Sequence, residues 1–248
     1  MSSQRTFAFI AGSGLGEAAA GFEVASRVSF EEIPEVGGAT VAGHRGEVLR
    51  CRMGNGACWI VLGRRHIYEG AVAPVRALVS WLARQGVTDL VTASAAGSLR
   101  TTLEPGALVL VSSVLDLQSR HAGMGRGAGI ARGDRRRGVD PGLCLLVEQA
   151  AARAGVTLHR GVAACLDGPT YETPAEVSFL QGAGADLATM SAAPEIAAAG
   201  ENGLRVACIG AITNPGTGIG KAAPGHGAVL TTAEAMAPAL GRILTELV

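Results

Sequence analysis

Nothing in this sequence suits a strongly charged partner. Lys plus Arg and Asp plus Glu stand at 21 each in 248 residues, and charged residues make up 17%. Attraction of a whole surface to nucleic acid or to an anionic membrane needs a strong basic excess, so any bound anion must be held by a local site. Cysteines number five, at 51, 58, 144, 165 and 208, scattered and without a CxxC pair. That excludes a disulfide framework and a cysteine zinc site, and fits a reduced cytoplasmic protein. The opening MSSQRTFAFIAGSG lacks a signal-peptide pattern. No apolar run approaches the roughly 18 residues of a membrane span. Aromatics are scarce at 4%, while glycine reaches 36 residues, about twice the usual share. Small side chains suit close backbone approach and tight turns.

Hydrophobic residues at 48% permit one large core. Short apolar, partly β-branched runs predict strands at Thr6–Ala11, Glu47–Arg52, Cys58–Leu62, Asp89–Ala93, Ala107–Ser112, Leu158–Cys165, Asp186–Thr189 and Leu204–Thr213. Between them, apolar residues at helical spacing predict helices over Val72–Gln85 and Gly142–Ala154. A third helix is expected over Pro174–Gln181, with Thr173 as N-cap and Pro174 at its first position. A last helix is expected from His226 to Leu247. Alternating strands and helices imply an α/β fold: a single domain over 1–248 with a mixed central β-sheet flanked by helices. One segment departs from the pattern. Residues 120–138, RHAGMGRGAGIARGDRRRG, have no apolar period and read as a flexible Gly/Arg-rich loop, either solvated or a lid over a site.

Five clusters carry candidate chemistry. Gly12-Ser13-Gly14-Leu15-Gly16 follows the first strand and is a turn whose N–H groups suit a phosphate. It is not the dinucleotide fingerprint of an oxidoreductase, because the third glycine of GxGxxG would fall on Glu17. Gly63-Arg64-Arg65-His66-Ile67-Tyr68-Glu69-Gly70 supplies arginine forks for an oxyanion, with His and Tyr within one turn. Gly168-Pro169-Thr170-Tyr171-Glu172 places a carboxylate before a helix, where the helix dipole favours it and where α/β sheets bind ligands. Thr189-Met190-Ser191 precedes a small-residue helix, with Ser191 as the expected N-cap. Ile212-Thr213-Asn214-Pro215 ends the most apolar strand with polar groups. His44 and His226, each flanked by glycine on its N-terminal side, complete the set.

Taken in chain order, GSGLG, AGHRG, GRRHIYEG, AAGSL, GPTYETPAE, GADLATMSAAPE and ITN resemble the purine nucleoside phosphorylase family, in the trimeric branch shared with methylthioadenosine phosphorylase. The resemblance implies phosphorolysis of a purine nucleoside to free base and pentose 1-phosphate. Inorganic phosphate is then a co-substrate, with no other cofactor and no metal, and the assembly is a homotrimer. Carried onto this chain, Ser13, Arg64, His66, Ser191 and the backbone of Ala95 would hold phosphate, with His44 nearby. Tyr68, Met190 and His226 would line the sugar, and Tyr171, Glu172, Asn214, Ala96 and Gly97 the base. Glu172, Asn214 and His66 would act in catalysis. Glu172 with Asn214 favours a 6-oxopurine such as inosine or guanosine, since the adenosine-type relatives carry Asp at the Asn214 position.

Three features depart from the family pattern. Ser94 and Ser98 replace an asparagine and a glycine, Pro215 follows Asn214, and Asp116–Pro141 contains no aromatic residue. They keep two alternatives open: a phosphorylase for a 5′-substituted or 6-amino nucleoside, and a nucleoside-binding protein that has lost activity.

Overall fold

The computed structural model describes residues 5–38, 44–53, 56–69, 72–118, 138–219 and 225–248. Nine strands form one mixed sheet: β1 (Phe7–Ala11), β2 (Glu23–Ser29), β3 (Glu47–Met53), β4 (Gly56–Leu62), β5 (Asp89–Ser98), β6 (Leu108–Asp116), β7 (Leu158–Cys165), β8 (Leu187–Thr189) and β9 (Arg205–Pro215). The helices are α1 (Ala73–Arg84), α2 (Pro141–Arg153), α3 (Pro174–Gly182), α4 (Ala193–Glu201) and α5 (His226–Leu247). The strand order is β2-β3-β4-β1-β5-β8-β7-β6-β9, and β5 also pairs with β9. β4, β1, β5 and β9 run parallel, so their C-terminal ends share one edge.

Strand alternation builds two cores. Along β1, Ala8 and Ile10 join the cluster of Leu78, Val79 and Leu82 of α1 and Ile196 and Ala198 of α4. Phe9 and Ala11 join Leu143 and Val147 of α2 and Leu240 and Ile243 of α5 on the other face. With both faces covered, the central strands read as nearly continuous apolar runs, which is why the sequence reveals them. A third, smaller cluster seats Val177 and Leu180 of α3. Among the described residues no helix is long and apolar enough to cross a membrane.

The differences from expectation have local causes. β2 is an edge strand with mostly exposed residues, so it has no apolar run to read. β5 extends past Ala93 to Ser98 although Ser-Ala-Ala-Gly-Ser has little strand propensity. There β9 pairs with it from Asp89↔Arg205 to Ser98↔Pro215, with a register shift between Ala96 and Gly97. β6 runs on to Asp116 through a register shift between Val111 and Ser113. The turn after β1 leads only into a short 3₁₀ turn, Gly16–Ala19. The Gly/Arg-rich segment expected over 120–138 lies outside the described residues up to 137.

Candidate active site

The C-terminal ends of the parallel strands surround a cavity of about 290 Å³. Every candidate site residue lines it except His44, which lies one hydrogen bond behind. Ser13 follows β1; Arg64, His66 and Tyr68 follow β4; Ala95, Ala96 and Gly97 belong to β5. Tyr171 and Glu172 come from the link between β7 and α3, Met190 and Ser191 from the link between β8 and α4. Asn214 ends β9, and His226 opens α5 at the exposed rim.

One side of the cavity is rich in donors. Gly63, at φ 109°, carries the chain from β4 towards Arg64, and a Cβ there would lie 2.7 Å from the Cβ of His44. His44, His66 and Tyr68 form a ring stack, with centroids 5.2 Å and 4.9 Å apart. His44 Nε2 lies 3.0 Å from Ser13 Oγ, and its Nδ1 lies 2.8 Å from the Arg64 carbonyl. The shorter Nδ1 contact requires the proton on Nδ1, so Nε2 accepts from the serine hydroxyl. With the proton on Nε2 instead, Nδ1 accepts from the Arg64 N–H at 3.3 Å, and the serine hydroxyl is released to donate to an anion.

Burial, then the Arg64 charge, hold both imidazoles neutral: His44 is pushed down to about 4 and His66 to about 3. The 3.4 Å approach of His66 Nδ1 to Glu69 Oε2 is therefore not a charge pair. Glu69 accepts instead from the His66 backbone N–H at 2.6 Å.

Arg64 is 2% exposed. Its guanidinium is turned towards the protein: it meets Glu195 Oε1 at 3.3 Å and donates to Ser94 Oγ at 2.6 Å and to the Ala93 carbonyl. Ser191 does not cap α4. The residue at the N-cap is Ala192, at φ 78°, with no side-chain cap bond. The Ser191 hydroxyl donates to Ser94 Oγ at 2.9 Å. The strained start of α4 thus keeps Ser191 on the cavity wall.

The opposite side suits a flat heterocycle. Glu172 is half-buried, and burial, followed by the charge of Glu176, raises its carboxyl against the pull of its own backbone N–H. Thr173 and Glu176 form a capping box that fixes the start of α3 beside it. Asn214 is oriented by two contacts: Thr213 Oγ1 donates to Oδ1 at 2.9 Å, and Nδ2 donates to the Pro215 carbonyl at 3.0 Å. Gly97 leaves room for that amide, since a Cβ there would meet Asn214 Nδ2 at 3.2 Å.

Pro215 costs the sheet nothing, because the N–H of Gly216 donates to the Ser98 carbonyl. Ser98 closes a turn through Arg100 and does not line the cavity. Sequence reasoning singled out the segments of Thr189, Thr213 and Glu195 without giving those residues a role, and missed Val229 of the lining and Thr92 behind it. A threonine inside the apolar run of β5 and an acid two residues into a helix were the available signals. Among the described residues no group of His, Cys, Asp and Glu is arranged to hold a metal ion.

The profile of the phosphorylase superfamily matches residues 6–248. The chain is 33% identical to purine nucleoside phosphorylase 1 of Bacillus subtilis over 214 residues, covering 85% of this chain and 79% of the relative. It is 36% identical to the purine nucleoside phosphorylase of Mycobacterium tuberculosis over 222 residues, covering 88% and 78%. The structure of Schistosoma mansoni purine nucleoside phosphorylase in complex with inosine superposes with a TM-score of 0.84 at 26% identity, over 98% of this chain and 89% of that one.

Proposed function

The chain belongs to the purine nucleoside phosphorylase family of the phosphorylase superfamily, and from that premise we propose that it cleaves 6-oxopurine nucleosides, such as inosine and guanosine, with inorganic phosphate. The products are the free purine and pentose 1-phosphate. The observation that carries this reading is the single cavity on which Ser13, Arg64, His66 and Ser191 converge from one side and Glu172 and Asn214 from the other.

Breaking the glycosidic C–N bond leaves positive charge on the sugar and an electron pair on the purine. A phosphate dianion beside C1′ stabilises the first and then forms the new C–O bond. Ser13, Ser191 and His66, a neutral ring, supply hydrogen bonds, and Arg64 supplies charge. The half-buried carboxylate of Glu172 accepts from purine N1–H, which a 6-aminopurine lacks. Asn214 Nδ2 donates to N7 or O6 as negative charge develops there. Tyr68, Met190 and His226 bound the sugar. Tyr68 and Tyr171 stay neutral phenols, since burial raises both. The chain acts as a homotrimer in the cytoplasm in this reading, a compartment that suits five free, buried thiols.

The test is a phosphorolysis panel read by chromatography. Inosine and guanosine are expected to release base only when phosphate is added. Phosphate-independent release would sink the mechanism, and far faster turnover of methylthioadenosine would overturn the base assignment. Tight nucleoside binding with no turnover would instead mark a binding protein.

A further inference from the structure

Arg64 forms part of the cavity wall, yet its donors are already committed. A guanidinium carries five N–H groups in a rigid fork. Nη1 donates to Ser94 Oγ and faces Glu195, at 3.3 Å from Oε1 and 3.4 Å from Oε2. Nη2 donates to the carbonyls of Ala93 and Ile10. The four Nη hydrogens thus have protein acceptors on four sides. Nε is buried and has no partner among the described residues.

Glu195 is itself buried, at 2% exposure. Its Oε2 accepts from Thr92 Oγ1, a hydroxyl in the middle of β5, at 2.5 Å. It sits in the first turn of α4, where the helix end favours a carboxylate. A buried ion pair is weak evidence of stabilisation, because an apolar pair of the same shape does as well. Its negative charge also opposes an incoming anion. What the pair supplies at this place is position: the guanidinium cannot swing, and its positive charge is held in the cavity wall.

We propose that Glu195, braced by Thr92, is a positioning residue for phosphate: it clamps Arg64 so that the guanidinium charge stays fixed in the cavity wall, facing a phosphate bound there. Glu195 does not line the cavity and acts only through Arg64. The inference rests on the phosphorolysis reading above. In Glu195→Gln the amide nitrogen confronts a guanidinium donor, and the clamp opens.

Initial rates with inosine, varied phosphate and varied inosine decide the matter for wild type, Glu195→Gln, Glu195→Asp and Thr92→Val, alongside thermal melts with and without inorganic phosphate. Glu195→Gln is expected to raise the KM for phosphate about tenfold or more, the scale of one hydrogen bond to a charged group. The KM for inosine should stay within about twofold of wild type. Most of the phosphate-induced rise in melting temperature should be lost, and Glu195→Asp, which keeps the charge, should recover part of both. Thr92→Val should shift the phosphate KM the same way by about threefold, and it carries the decision if Glu195→Gln does not fold. A phosphate KM that is unchanged or lower in the deciding variant, or that rises only together with the KM for inosine, overturns the proposal. If wild type shows no phosphate-dependent turnover, the proposed function fails before any variant is compared.

Discussion

Glu172 and Asn214 set the chemistry of the base side, and each makes a distinct prediction. Removing the Glu172 carboxylate takes away the acceptor for N1–H, so Glu172→Ala should lower kcat/KM for inosine by about 10²-fold, the usual scale for one such contact. The raised pKa of Glu172 sets the acid limb of the pH profile. Its carboxylate form exists only above that pKa, so kcat/KM should fall on acidification at a higher pH than an ordinary glutamate would give. An acid limb at or below the usual carboxylate range would count against this role. Asn214→Asp replaces the donor with an acceptor. Inosine should lose about tenfold or more in kcat/KM while 6-amino nucleosides gain, as a competition assay with both substrates would show. These residues were legible because polar groups at strand ends interrupt strongly apolar runs. The part Thr213 plays in orienting the Asn214 amide was not, because a threonine in a β-rich stretch looks like any strand residue.

At the scale of elements, the turn after β1 carries the clearest test. Gly14 has φ 73°, and a Cβ there would sit 2.7 Å from the Cβ of Ala233 and 2.9 Å from the Leu230 carbonyl, both on α5. Backbone strain and overpacking together make Gly14→Ala destabilising by about 2–4 kcal/mol in denaturant unfolding. The same shift displaces Ser13, so the phosphate KM should rise in whatever fraction remains folded. The glycine turn itself was visible in the sequence, but its packing against a helix more than two hundred residues later was not. The start of α4 makes the same point. Ser191 has the right chemistry for a cap, yet the cavity wall takes its hydroxyl and Ala192 occupies the cap position. A cap preference of about 1 kcal/mol is small enough for tertiary contacts to override.

For the whole molecule, the neutral imidazoles His44 and His66 tie stability to pH. Their folded pKa values, about 4 and about 3, lie below the ordinary 6.5. Below 6.5 the unfolded chain therefore binds more protons than the native one, and stability falls as pH drops from 6.5 through about 4 for His44 and about 3 for His66. The melting temperature should decline over that window, and His44→Gln should flatten part of the decline. Phosphate should raise the melting temperature by mass action, by the equivalent of about 2.7 kcal/mol at a hundred times its dissociation constant. A melting temperature that does not respond to phosphate at neutral pH would count against the anion side of the cavity.

By itself the sequence determined the α/β class, most of the strands, the capped start of α3, and the segments that meet at the cavity. These follow from local periodicity, turn chemistry and strongly apolar central strands, which do not depend on distant partners. The tertiary structure decided the strand order, the edge strand β2, the length of β5, and the direction in which Arg64 spends its donors. Each depends on pairing between residues far apart in the chain, such as Arg64 with Glu195 and Gly97 with Asn214. The balanced composition required a local site for an anion. Only the fold placed a buried carboxylate behind the arginine of that site.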